Sequence, residues 1–229
     1  MSDLMPAIEQ HTDSLLATAG TLRDLDHDSF CVGWTRAHIL AHLASNGRGM
    51  VNLVRAVVDG EPLTMYASQE ARDADIAAGA TKPPATLLHE LETTCEEATA
   101  ALRRLGPEHA DVHAERVPGG PSFRAAVFPY MRLREVIYHH VDLDAGFTFL
   151  DVEPELLGMF LDREVTQLAR RPGVPAVRLI SDEGDSYDVG DEPETTVTGS
   201  RAGLVLWLSR QMTVGVSGEP SLPELPRGA

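Results

Sequence analysis

The 229-residue chain is short of cysteine, of basic side chains and of long apolar runs. Its only cysteines are Cys31 and Cys95, too few for a disulfide framework. The first ten residues, MSDLMPAIEQ, lack a basic region followed by an apolar core, so they do not read as an export signal. Two thiols without such a signal read as reduced cysteines of a cytoplasmic protein. No apolar run approaches the ~20 residues that a membrane-spanning helix needs. Bases are few, 19 against 35 acids, for a net charge of −16. Such a surface repels nucleic acid and anionic membranes, so neither is an expected partner. A small anionic substrate stays possible, provided some local site is positive.

What is present is globular: 43% of residues are hydrophobic, enough for one large domain or two modest ones. The first half reads as helices. Ile8, Leu15, Leu16, Ala19 and Leu22 mark an amphipathic helix from about Leu4 to Leu25. A second starts after Trp34 with Thr35 as N-cap and stops at Gly60. Gly47 and Gly49 inside it lower its propensity and would permit close approach of a neighbour. Ser68 caps a short helix, QEARDADIAAG, and Pro84 opens another that runs to about Leu105. In that helix Leu88, Leu91, Cys95, Ala98 and Leu102 form one stripe, which makes Cys95 a core residue. Residues 106–123, a polar connection built around PGGP, are long for a simple loop, so they either hold a small hairpin or touch the active site. The next helix carries Pro129 near its start and ends by Gly146. Four long helices imply a four-helix bundle.

The pattern changes near residue 150. One helix, EPELLGMFLDREVTQLARR, is followed by the β-rich segments AVRLIS, SYDVG and ETTVTGS and a last helix, RAGLVLWLSRQM. The expected fold class is therefore mainly α plus a small α+β domain: a bundle over 1–150 and a short-stranded sheet with helices over 151–229. The tail, SGEPSLPELPRGA, reads as loosely held.

The chemistry lies in REVIYHHVDLD. Glu135 and His139 are one turn apart on one helical face, among residues suited to burial. A buried carboxylate and imidazole need a partner, and a metal ion is one. A catalytic zinc site takes three such ligands and leaves a position open. The second histidine-bearing helix offers His38 and His42, of which His42 lies deeper. The bland alternative pairs Glu135 with Arg132 or Arg134. His139 and His140 are adjacent, so at most one is expected to face inward. Asp142 is either an acceptor that orients His139 or a solvated acid. Cys31 is more simply packed than reactive.

Taken in order, GWTRAHILAHLASN, MYASQEARDADIAAG and RLREVIYHHVDL resemble the mycothiol-dependent maleylpyruvate isomerase family, among the DinB-like four-helix bundles. The likeness extends to a C-terminal α+β domain with a VTGSRAGLV-like segment. It implies metal ligands at His42, Glu135 and His139 and a functional arginine at Arg210. It implies zinc and mycothiol as cofactors, with a small anionic substrate in a cleft that the C-terminal domain covers. The implied reaction is cis-to-trans isomerisation of maleylpyruvate to fumarylpyruvate in gentisate catabolism. A thiol adds to the double bond, the resulting single bond rotates, and elimination gives the trans product. Rivals with the same site are a mycothiol S-transferase, a biosynthetic enzyme, or a non-enzymatic zinc-binding regulator using Cys31.

Overall fold

A computed structural model describes residues 4–226. The chain divides into two compact units, one ending at Gly146 and the other beginning at Phe147.

The first unit is helical. Its elements are α1 (Met5–Thr21), α2 (Arg36–Val58), α3 (Gln69–Ala80), α4 (Pro84–Leu102), the paired strands β1 (His113–Glu115) and β2 (Ser122–Arg124), and α5 (Phe128–Asp142). Prolines occupy the first turns of α1, α4 and α5, where a missing N–H costs nothing. Helix α2 packs on α4 and α5, and α1 packs on the same two, which closes a four-helix ring; α3 lies outside it against α2. Ile39, Leu40, Leu43, Leu87, Leu91, Cys95 and Val136 are fully or nearly fully buried at the centre. Cys95 is core, as its stripe implied.

The two helical glycines of α2 do different work. A Cβ on Gly47 would sit 2.7 Å from the Thr94 carbonyl oxygen, so Gly47 lets α4 approach. A Cβ on Gly49 would sit 2.8 Å from Met65 Cγ and 3.2 Å from Tyr66 Cε1, so Gly49 seats the segment after α2. That segment is tied to the hairpin: Met65 N–H donates to Glu115 O and Tyr66 N–H to Arg116 O, both at 2.9 Å.

Helix α1 ends four residues before the expected Leu25. The chain turns at Leu22 into extended backbone, because the carbonyls of Leu25 and His27 accept from Ala37 and Arg36 and satisfy the first turn of α2. Helix α4 likewise ends at Leu102 rather than Leu105.

The second unit holds α6 (Pro154–Leu168), β3 (Val177–Ser181), β4 (Ser186–Val189), β5 (Thr195–Gly199), α7 (Arg201–Arg210) and β6 (Val216–Glu219). The sheet order is β4-β3-β5-β6, with β3 and β5 parallel and the other pairs antiparallel. Val177, Leu179 and Val197 turn inward, and Phe160, Leu161, Leu204, Val205 and Leu208 of the two helices are buried with them. The tail is not loose throughout. Val216–Glu219 pairs with the open edge of β5, a strand that the Gly/Ser/Pro composition hides. Among the described residues, no helix is long and apolar enough to cross a membrane.

Candidate metal centre

Helices α2 and α5 build the site. On α2, Thr35 is the N-cap, and its N–H donates to His38 Nδ1 at 3.3 Å, which binds His38 to the helix start. One turn deeper, His42 is buried and packs at 5.4 Å from the Trp34 ring. On α5, Glu135 and His139 project on one face. His42 Nε2 lies 2.7 Å from Glu135 Oε2, and His139 Nε2 lies 3.5 Å from the same oxygen. The two imidazoles meet edge to face, 4.5 Å between centroids. Each residue offers one donor atom, and the three atoms lie within 4.8 Å of one another.

Asp142, one turn after His139, is fully buried and not a solvated acid. Its Oδ2 lies 2.8 Å from His139 Nδ1 and accepts the Cys31 thiol at 3.2 Å. Glu135 bonds to the two histidines rather than to Arg132, which donates to Asn46 Oδ1, Leu43 O and Cys95 Sγ within the bundle. The expectation that only one of the adjacent histidines faces inward fails. His139 is mostly covered at the cluster, and His140 is fully buried, with Nε2 2.8 Å from Thr18 Oγ1 on α1. Two helices flank α5, so two of its faces are interior.

Burial pushes the His42 imidazole down from its ordinary 6.5 to about 4, with the neighbouring His139 charge helping. Burial would raise the Glu135 carboxyl, but hydrogen bonds to His139 and His42 outweigh it and hold the group well below 4.5. For His139 burial works downward, yet bonds to Asp142, Cys31 and Glu135 prevail and hold its imidazole well above 6.5. The cluster without metal is thus a neutral His42, an ionised Glu135 and a protonated His139 between two carboxylates.

This donor set suits a divalent cation. Two imidazoles and a carboxylate converge, and Asp142 orients the ring of His139 through the nitrogen turned away from Glu135. A cation would take the place of the His139 proton.

One contact was absent from the sequence expectations. Arg72 of α3 places Nη2 3.2 Å from His42 Nδ1. A guanidinium only donates, so Nδ1 accepts, and the neutral ring carries its proton on Nε2 toward Glu135. The signal was in the MYASQEAR stretch, where the arginine lies four residues after the N-cap Ser68. Arg210 is the last residue of α7, following Gly199 and Ser200 as expected, and its Nη1 donates to Ser209 O at 3.0 Å.

Residues 7–144 match the family described as the mycothiol maleylpyruvate isomerase N-terminal domain. The chain belongs to that family. Two solved structures are similar to it: the crystal structure of the mycothiol-dependent maleylpyruvate isomerase, and that of a histidine-to-alanine mutant of that enzyme. Each has a TM-score of 0.91 and 26% identity, covering 99% of this chain and 96% of the other. The mainly α fold with a small α+β part is thus the fold of that isomerase. No curated protein sequence matches the chain.

Proposed function

We propose that the protein is a zinc- and mycothiol-dependent isomerase that converts maleylpyruvate to fumarylpyruvate in gentisate catabolism. The observation that carries this is the convergence of His42, Glu135 and His139 in a family member whose whole-chain likeness is to such an enzyme.

His42, Glu135 and His139 are the proposed metal ligands, each prepared by its surroundings. Burial keeps His42 neutral at physiological pH, so the ring as a whole need lose no proton to become a ligand. Glu135 stays ionised because the histidines bond to it. Asp142 fixes the ring of His139 through Nδ1 and leaves Nε2 directed at the cluster. When bound, zinc would supply Lewis-acid charge favouring the thiolate over a thiol of pKa ~8.5, and mycothiol the nucleophile for reversible addition. Arg210 is proposed to bind a substrate carboxylate or to stabilise negative charge formed on the substrate.

The test follows ultraviolet absorbance of maleylpyruvate with purified protein, with and without mycothiol, and again after chelation. Conversion that needs both thiol and metal, with mycothiol recovered unchanged, is expected. Consumption of mycothiol into a conjugate would replace the isomerase with an S-transferase. Arg210→Ala should keep zinc and lose turnover; full turnover would return Arg210 to a surface role at a helix end.

A further inference from the structure

We propose that Arg72 and Arg116, both set over the Tyr66 ring beside the metal centre, form its carboxylate-binding subsite, and that this subsite selects a small dicarboxylate. The inference deepens the isomerase assignment and rests on it for the position of the metal.

The formal charges ask for such a subsite. One carboxylate and two neutral imidazoles would leave a divalent ion with net positive charge. The buried Asp142 is a second carboxylate against the same histidine, and it cancels what remains. In a chain of net charge −16, a dianionic substrate then needs cations from elsewhere. Arg72 and Arg116 are at hand within the same unit. Their guanidinium carbons each lie 5.7 Å from the centroid of Tyr66, and Arg72 also touches His42.

The fold holds both in place. Gly79 lets α3 press on α2, since a Cβ there would sit 2.8 Å from Ala41 Cβ, next to His42. Ser68 Oγ accepts from Ala71 N–H at 3.1 Å and fixes the first turn of α3, one residue from Arg72. Arg116 directly follows β1; its carbonyl takes the Tyr66 N–H and its own N–H donates to Pro121 O at 2.8 Å. Gly49 gives Tyr66 its seat against α2. Burial raises the Tyr66 phenol above its ordinary 10.0, although Arg72, which donates to it, and Arg116 work the other way, so it stays neutral beside the two cations.

Both guanidiniums have capacity to spare. Arg72 Nη1 bonds at 2.7 Å to Asp73, a half-exposed carboxylate on its own helix. Its Nε is buried and has no acceptor. Arg116 makes no ion pair among the described residues, although the chain has 35 acids. Nη2 carries two hydrogens, and His42 Nδ1 at 3.2 Å takes only one of them. Nε and Nη2 of one guanidinium then present the parallel pair of N–H groups that a carboxylate accepts. A second carboxylate on a short chain falls to Arg116.

The experiment is calorimetric titration of maleate, a cis-dicarboxylate, into the zinc-loaded full chain. Wild type is compared with Arg72→Gln, Arg116→Gln and, as a surface control, Arg178→Gln, with zinc content and far-UV circular dichroism measured for each. Maleate should bind at least tenfold more weakly to the first two, with zinc retained, and equally well to the control. Arg72→Lys and Arg116→Lys keep the charge without the fork. They serve if a glutamine variant does not fold, and should still bind maleate severalfold more weakly. Binding within twofold of wild type in both positions, or no binding by wild type, overturns the subsite. Turnover of maleylpyruvate in the same samples separates the two ideas. Arginine-dependent maleate binding without turnover by wild type leaves the subsite standing and removes the isomerase. Turnover with KM unchanged in both variants does the reverse.

Discussion

Asp142→Asn is the substitution that best tests how the centre is tuned. Asparagine keeps the shape and one acceptor oxygen, so His139 Nδ1 retains a hydrogen bond but loses its buried anion at 2.8 Å. Two effects follow, with opposite pH dependence. The imidazole becomes a poorer ligand, which typically costs 10–100-fold in metal affinity, or about 1.4–2.7 kcal/mol. The imidazolium also loses its strongest support, so His139 falls from its raised position and the proton competes less with the metal. In wild type that competition costs about tenfold in affinity for each pH unit below the His139 pKa. The variant should therefore bind zinc 10–100-fold more weakly at alkaline pH, and the gap should narrow at acid pH, below the raised His139 pKa. Competition with a chelating zinc indicator at both pH values measures it, with circular dichroism to confirm the fold. Equal affinity at alkaline pH, or an unchanged gap at acid pH, refutes the role given to Asp142.

Without metal, acid should destabilise the protein through His42. Its folded pKa is depressed, so its contribution is complete above 6.5 and lost as pH falls toward about 4, a change of roughly 3 kcal/mol. The other two members act in different windows. His139, raised, contributes fully below 6.5 and loses its share as pH rises through its folded pKa; Glu135, depressed, loses its share only below 4.5. Urea midpoints in chelator between pH 6.5 and 4 should fall steeply in wild type and flatten in His42→Gln. Gly49→Ala would bring a methyl to 2.8 Å from Met65 Cγ, and should destabilise by about 1–3 kcal/mol in the same urea assay. Asn46→Ala removes the 2.8 Å acceptor of the buried Arg132 guanidinium and should cost about 1–3 kcal/mol, with zinc affinity unchanged.

Much of the helical layout was legible because it is local. Thr35, Ser68 and the helix-opening prolines at 84 and 129 mark starts through backbone chemistry within four residues. The Cys95 stripe predicts its own burial through the helical repeat. The spacing of Glu135 and His139 puts them on one face wherever α5 lies. His42, from a helix more than ninety residues earlier, was favoured by its depth in that helix and by family likeness, not by its spacing from Glu135. Only the packing of α2 on α5 brings its Nε2 within 2.7 Å of Glu135.

Other features depend on partners that no local pattern specifies. The end of α1 is decided by which carbonyls cap α2. The strand at Val216–Glu219 exists because β5 has an open edge, and its composition reads as tail. His140 is interior because α1 packs on α5 from another side than α2 does. The arrangement of Arg72 and Arg116 over Tyr66 needs three separate approaches: α3 on Ala41, the 65–66 segment on Gly49, and the hairpin on that segment. The sequence by itself determined the helix starts, the buried stripes and the paired ligands of α5, since these follow from spacing along one chain. Tertiary structure alone decided the charge at the centre, since a buried group's protonation depends on which residues distant in sequence surround it.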